Sequence, residues 1–155
     1  FAALISGILT DITSVFDEIG AEDASPLDRL RRLVLQLLDL YIEHSQLLNI
    51  FMSEYEINEI KKKRYISAYT LKNIHDYKEI ESRLVEMIRQ AQLEGMVVDV
   101  HPYVLAGVLN ELVLRSVIVL HNQKGTFRKK DLIHDIFELL AKNVVKVPTQ
   151  TKTAP

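Results

Sequence analysis

The run "PYVLAGVLNELVLRSVIVLHNQ", Pro102 to Gln123, is the most apolar stretch of the chain and has the length of a membrane span. Two residues argue against that reading. Glu111 and Arg115 would both sit at the middle of a bilayer, whereas four residues apart, acid first, they form a good pair on a helix surface. A helix apolar nearly all round is then one buried between layers of protein. Turning each residue through the helical angle separates two stripes. Tyr103, Ala106, Asn110, Leu114, Val117 and His121 mix apolar groups with hydrogen-bonding ones, as the wall of a ligand cavity does. Leu105, Leu109, Leu112, Val113, Ser116, Val119 and Leu120 form an almost purely aliphatic opposite side, which needs another helix against it.

The rest of the chain supplies helices on the same principle. Leu4, Ile5, Ile8, Ile12, Val15, Phe16 and Ile19 recur at three- and four-residue spacing up to Gly20. Ser25, Pro26 and Asp28 provide an N-cap, a first-turn proline and a first-turn acid for a second helix. Its apolar stripe is wide enough to be covered on more than one side. The chain breaks at His44-Ser45 and restarts at once as a short third helix. From about Asn58 to Leu93 it carries neither proline nor glycine, which predicts one long helix ended by Gly95. "MVVDVHP" reads as an extended connector, because the residue before Pro102 is steered away from helical geometry. A last helix follows with Leu132, Ile133, Ile136, Phe137, Leu140 and Val144 in register. The expected fold is all-α, a bundle of about six helices.

Bulk properties narrow the function. At 155 residues the chain is the size of one domain. It has no cysteine, so thiolate metal sites and disulfides are excluded. A net charge of −2 gives no general pull toward nucleic acid or an anionic membrane. His44, His75, His101, His121 and His134 are never four apart, and no glycine-rich phosphate loop or nucleophile elbow is present. Neither an enzyme, a metal site nor a cofactor is therefore expected. "KKKR", Lys61 to Arg64, follows Glu54, Glu56 and Glu59, so pairing on a solvated helix face explains it better than contact with DNA. The opening residues lack a basic leader, and Phe1-Ala2-Ala3 already stands in helical register without a cap. A fragment of something longer is the expectation.

Tyr41, Tyr55, Tyr65, Tyr69 and Tyr77 crowd between the end of the second helix and the middle of the long one. Tyrosine combines bulk with a hydroxyl that wants a partner, so such a cluster can line a cavity for a mostly apolar ligand with a polar end. On this reading the break at His44-Ser45 is a bend in the cavity wall. The candidate ligand-binding residues are Tyr41, His44, Phe51, Tyr69, Asn73, Tyr77, Asn110 and His121. A solid helical bundle serving only protein interaction is the alternative.

"SPLDRLRRLVLQLLDLYIEHSQLLNIF" (25–51), "RLVEMIRQAQLEGMVVDVHP" (83–102) and "YVLAGVLNELVLRSVIVL" (103–120), with one amphipathic helix after them, together resemble the C-terminal regulatory domain of TetR-family transcriptional regulators. Pro26, His44, Gly95, Pro102 and Asn110 punctuate the pattern; His101 stands where that family often carries an aspartate cap. The resemblance implies an effector-binding and homodimerisation domain over residues 1–147 and a tail over 148–155. It implies a small, mostly apolar effector, a cytoplasmic repressor, and operator DNA bound only by a separate N-terminal helix–turn–helix domain. The final two helices, Pro102–His121 and Lys129–Lys146, would pair with those of a second subunit as a four-helix bundle. Leu105, Leu109, Leu112, Val113, Ser116, Val119 and Leu120, together with Leu132, Ile136, Phe137 and Leu140, are the expected interface.

Overall fold

The computed structural model describes residues 2–49, 68–123 and 125–146, without the side chains of residues 2 and 68–74. Every regular element in that span is helical. In chain order they are α1 (Ala2–Gly20), α2 (Pro26–Glu43), α3 (described over 45–49), α4 (Ala68–Leu93), α5 (Pro102–Asn122) and α6 (Lys129–Asn143).

The apolar spacing of α1 places Ile8, Leu9, Ile12, Phe16 and Ile19 in the core, where the helix packs on α2 and α4. Arg83 of α4 grips it from outside, with its guanidinium 2.8 Å from Asp17 and lying over the Phe16 ring. α2 starts as its sequence demands. The Ser25 hydroxyl accepts from the Asp28 amide at 3.2 Å, and Asp28 sits at the positive end of the helix dipole. Its wide stripe is covered by three neighbours, α1, α4 and α5, which bury Leu33 and Leu38 completely.

At His44 the backbone leaves helical geometry for one residue, yet the Leu48 amide still donates to the His44 carbonyl at 3.0 Å. The break is thus a bend between α2 and α3.

α4 ends in a Schellman motif: Met96 N–H donates to Ala91 at 3.0 Å and Gly95 N–H to Gln92 at 2.9 Å. Gly95 holds φ +69°, and a Cβ added there would meet nothing within 4 Å. The cost of Gly95→Ala is accordingly conformational alone, about 1 kcal/mol. Thermal melts should show a drop of about 2–4 °C.

The connector after Gly95 is pinned to the end of α6. Val97 bridges Val145, the Val98 amide donates to Val144 at 2.8 Å, and the Lys146 amide donates to Met96 at 3.0 Å. His101 does the work of an aspartate cap, its Nδ1 accepting from the Tyr103 amide at 3.3 Å. From there α5 runs against α4 and α2, and α6 packs on α5 alone among the closely packed helix pairs. Leu105, Ala106, Leu109, Val113 and Val117 form the buried side of α5; Leu132, Ile136 and Leu140 form that of α6.

Candidate functional site

Three helices converge on one polar cluster. Tyr41 lies in the last turn of α2, Tyr77 in α4 and Asn110 in the middle of α5. The Asn110 side-chain amide donates to the Tyr77 hydroxyl at 3.4 Å. Tyr41 is buried and close enough to Tyr77 to feel it. Burial first, and then that neighbouring phenol, push the Tyr41 hydroxyl far above its ordinary value of 10.0. It is a neutral hydrogen-bonding group throughout the usable pH range. The cluster is open to solvent on the α4 side, where Tyr77 is 47% exposed, and neither hollow described below is lined by these three residues; they present an amide and two phenols with no formal charge among them.

The raised Tyr41 value carries a sign. The folded state holds this proton more tightly than the unfolded chain does. Tyr41 therefore contributes stability that is complete below pH 10.0 and is lost as pH rises from there through its folded value. In urea unfolding between about pH 9 and 11, Tyr41→Phe should flatten the alkaline decline by up to about 1.4 kcal/mol per pH unit.

The other expected cavity residues divide. His121 is half-buried near the end of α5, with Nδ1 3.2 Å from the Ser45 hydroxyl across the bend. With Asn110 it shares the mixed stripe of α5, whose Ala106 and Val117 are buried. His44 turns to α1 instead: its Nε2 is 3.7 Å from a carboxylate oxygen of Asp11. Phe51 lies outside the described residues, as do Lys61 to Arg64; Tyr69 and Asn73 belong to α4, but their side chains are likewise outside the description.

Six of the eleven expected interface residues belong to the chain's own core. Leu105, Leu109 and Val113 of α5 and Leu132, Ile136 and Leu140 of α6 are each at most 8% exposed. These six are covered within the same chain, where α5 packs on α2, α4 and α6. Leu112, Ser116, Leu120 and Phe137 are half-buried, and Val119 is 50% exposed. The bare aliphatic groups stand elsewhere on α5, at Val104 and Val108, and on α6 at Leu139, with 60%, 54% and 49% exposure.

Two hollows stand out among the described residues. One, of about 390 Å³, is a half-open groove between α2 and α6 with Leu109 among its lining residues, walled by Leu27, Leu30, Val34, Ile133 and Phe137. Sequence reading missed it; the signal was Ile133 and Phe137, which sit on the flank of α6 beside its core stripe. The other, of about 290 Å³, contains Ser45 and His121. Among the described residues no cluster of three or more His, Cys, Asp or Glu side chains is placed to hold a metal ion.

No protein-family model matches the chain, and no curated protein matches it in sequence. Solved structures do match its fold. The ketosteroid transcriptional regulator KstR2 of Mycobacterium tuberculosis superposes with a TM-score of 0.74 at 15% identity, over 94% of this chain and 71% of that one. A TetR/AcrR-family regulator from Thermobifida fusca gives 0.68 at 16% identity, over 90% and 69%. A Saccharomonospora viridis protein named as a transcriptional regulator, solved in complex with choline, gives 0.66 at 17% identity, over 93% and 74%. This all-α chain has the fold of TetR/AcrR-type transcriptional regulators.

Proposed function

We propose that the chain is the effector-binding and dimerisation domain (1–147, followed by the tail 148–155) of a TetR-like transcriptional repressor acting in the cytoplasm, with operator DNA contacted by a separate helix–turn–helix domain. The observation that carries the effector part is the meeting of Tyr41, Tyr77 and Asn110 from α2, α4 and α5. These helices also hold α1 through Asp17 and, at the bend, Asp11. A ligand wedged among them would favour one seating of α1 over another, and α1 would pass that bias on as a shift in population.

The dimer part draws on α5. Only 28% of its most apolar window is buried within the chain. A second copy would cover Val104, Val108 and Val119 of α5 and Leu139 of α6, with Leu112 and Ser116 at the margin. This set replaces the more deeply buried residues as the proposed contact surface.

A thermal-shift screen tests the effector reading. Its first probe is a ketosteroid, the small molecule that figures in the name of one of the solved structures. A hit should raise the melting temperature of the native chain by several degrees at saturation. Asn110→Leu should weaken that hit by up to roughly tenfold, the effect of one lost hydrogen bond. An unchanged response in a folded Asn110→Leu variant sinks the assignment and favours a bundle that serves only protein interaction.

A further inference from the structure

We propose that the cleft where the bend after α2, the end of α5 and the start of α6 meet binds a short aliphatic monocarboxylate. Its volume, about 290 Å³, lies at the lower end for small-molecule sites. Ile42, Val117, Leu120 and Phe127 supply apolar walls, and Ser45, His121 and Lys129 supply the polar side. The Ser45 hydroxyl, 3.2 Å from His121 Nδ1, fixes the imidazole plane and leaves Nε2 for a ligand. Lys129 is bound at 2.6 Å to Asp39, but both side chains are about half exposed, 50% and 54%. A solvated pair of this kind is weak, so the ammonium can turn to an incoming carboxylate at little cost.

The surroundings favour an acid over an amine. Among the described residues none that lines the cleft carries a carboxylate. Of the described acids nearby, Asp131 is held by Arg128 at 2.9 Å, Glu43 is exposed at the end of α2, and Asp39, about half exposed, is left to solvent when Lys129 turns to a ligand. α6 begins at Lys129, and its N-cap residue makes no side-chain cap bond, so the first-turn amides add to the positive end of that helix. An aliphatic chain is selected by the walls, whose described side chains other than Ser45, His121 and Lys129 carry no hydrogen-bonding group. The site differs from the Tyr77–Asn110 pair, since Asn110 and His121 are separated by about 16 Å along α5, while Tyr41 of that cluster lies one turn before Ser45 and lines no part of the cleft. It does not depend on the effector reading.

Octanoate is the probe, with 1-octanol and octylammonium as chain-matched controls, followed by amide NMR shifts and calorimetry on the purified chain. Octanoate should saturate at millimolar concentration and move the Gly125, Phe127 and His121 amides. Lys129→Met, at an exposed position, and His121→Phe should each weaken it by roughly tenfold or more, the effect of losing a charged hydrogen bond. Octanol and octylammonium should bind much more weakly. The proposal is overturned by absence of saturable shifts, by equal binding of octanol, or by a Lys129→Met variant that binds as well as the native chain. Octanoate binding lost in Asn110→Leu and kept in Lys129→Met would place the acid at the three-helix cluster, overturning this site while leaving the effector reading intact.

Discussion

Leu38→Ala is expected to lower the unfolding free energy by about 2–5 kcal/mol, measured by urea denaturation at neutral pH. Leu38 is wholly buried on α2, the helix that packs on α1, α4 and α5 together. Removing its three outer carbons leaves a space that three separate helices would have to shift to fill, so little relaxation is available and the cavity cost adds to the lost transfer energy. Leu35, three residues earlier on the same helix, is 39% exposed. Leu35→Ala leaves helix propensity equally improved and should stay within about 1 kcal/mol of the native chain. Equal losses at the two positions would mean that α2 is not the hub of the bundle.

That contrast shows what periodicity can and cannot say. The spacing of Leu30, Val34, Leu37, Leu38 and Tyr41 reveals the buried side of α2, because one strongly amphipathic stripe has only one way to face a core. Caps were equally legible, since Ser25 and Gly95 act through their own backbone neighbourhood. The bend at His44 was visible as an interruption with apolar residues on both sides. Its partner was not: the Ser45 hydroxyl lies 3.2 Å from Nδ1 of His121, 76 residues away.

α5 is where local reading failed. A helix apolar on nearly every side has a weak stripe, and residue type alone does not distinguish a side covered by the same chain from one left for another. Leu109 and Val108 are neighbours of similar character, yet one is 3% and the other 54% exposed. Only the positions of α2, α4 and α6 settle which is which. The mixed stripe was more informative, because polar groups inside a bundle need partners. Asn110 found Tyr77 and His121 found Ser45.

Val108→Asp is expected to convert a dimeric chain into a monomer in sedimentation at tens of micromolar (a rough working range). Val108 shares the bare side of α5 with Val104 and with the Glu111–Arg115 pair, which stay solvent-exposed at 57% and 52% within one chain. On a two-fold axis every contact occurs twice, and an acid and a base four residues apart can exchange partners between antiparallel copies. An aspartate at 108 would have no such partner. Stranding its carboxylate against aliphatic groups costs about 2 kcal/mol per copy, doubled by symmetry to about 4 kcal/mol. That is about a thousandfold in the dissociation constant. The same substitution lies on the surface of a single chain, so helical content by circular dichroism should not change. Ser14→Asp, on the exposed side of α1, serves as the charge-matched control and should remain dimeric. A native chain that sediments as a monomer, or a Val108→Asp variant that stays paired, would move the contact surface away from α5.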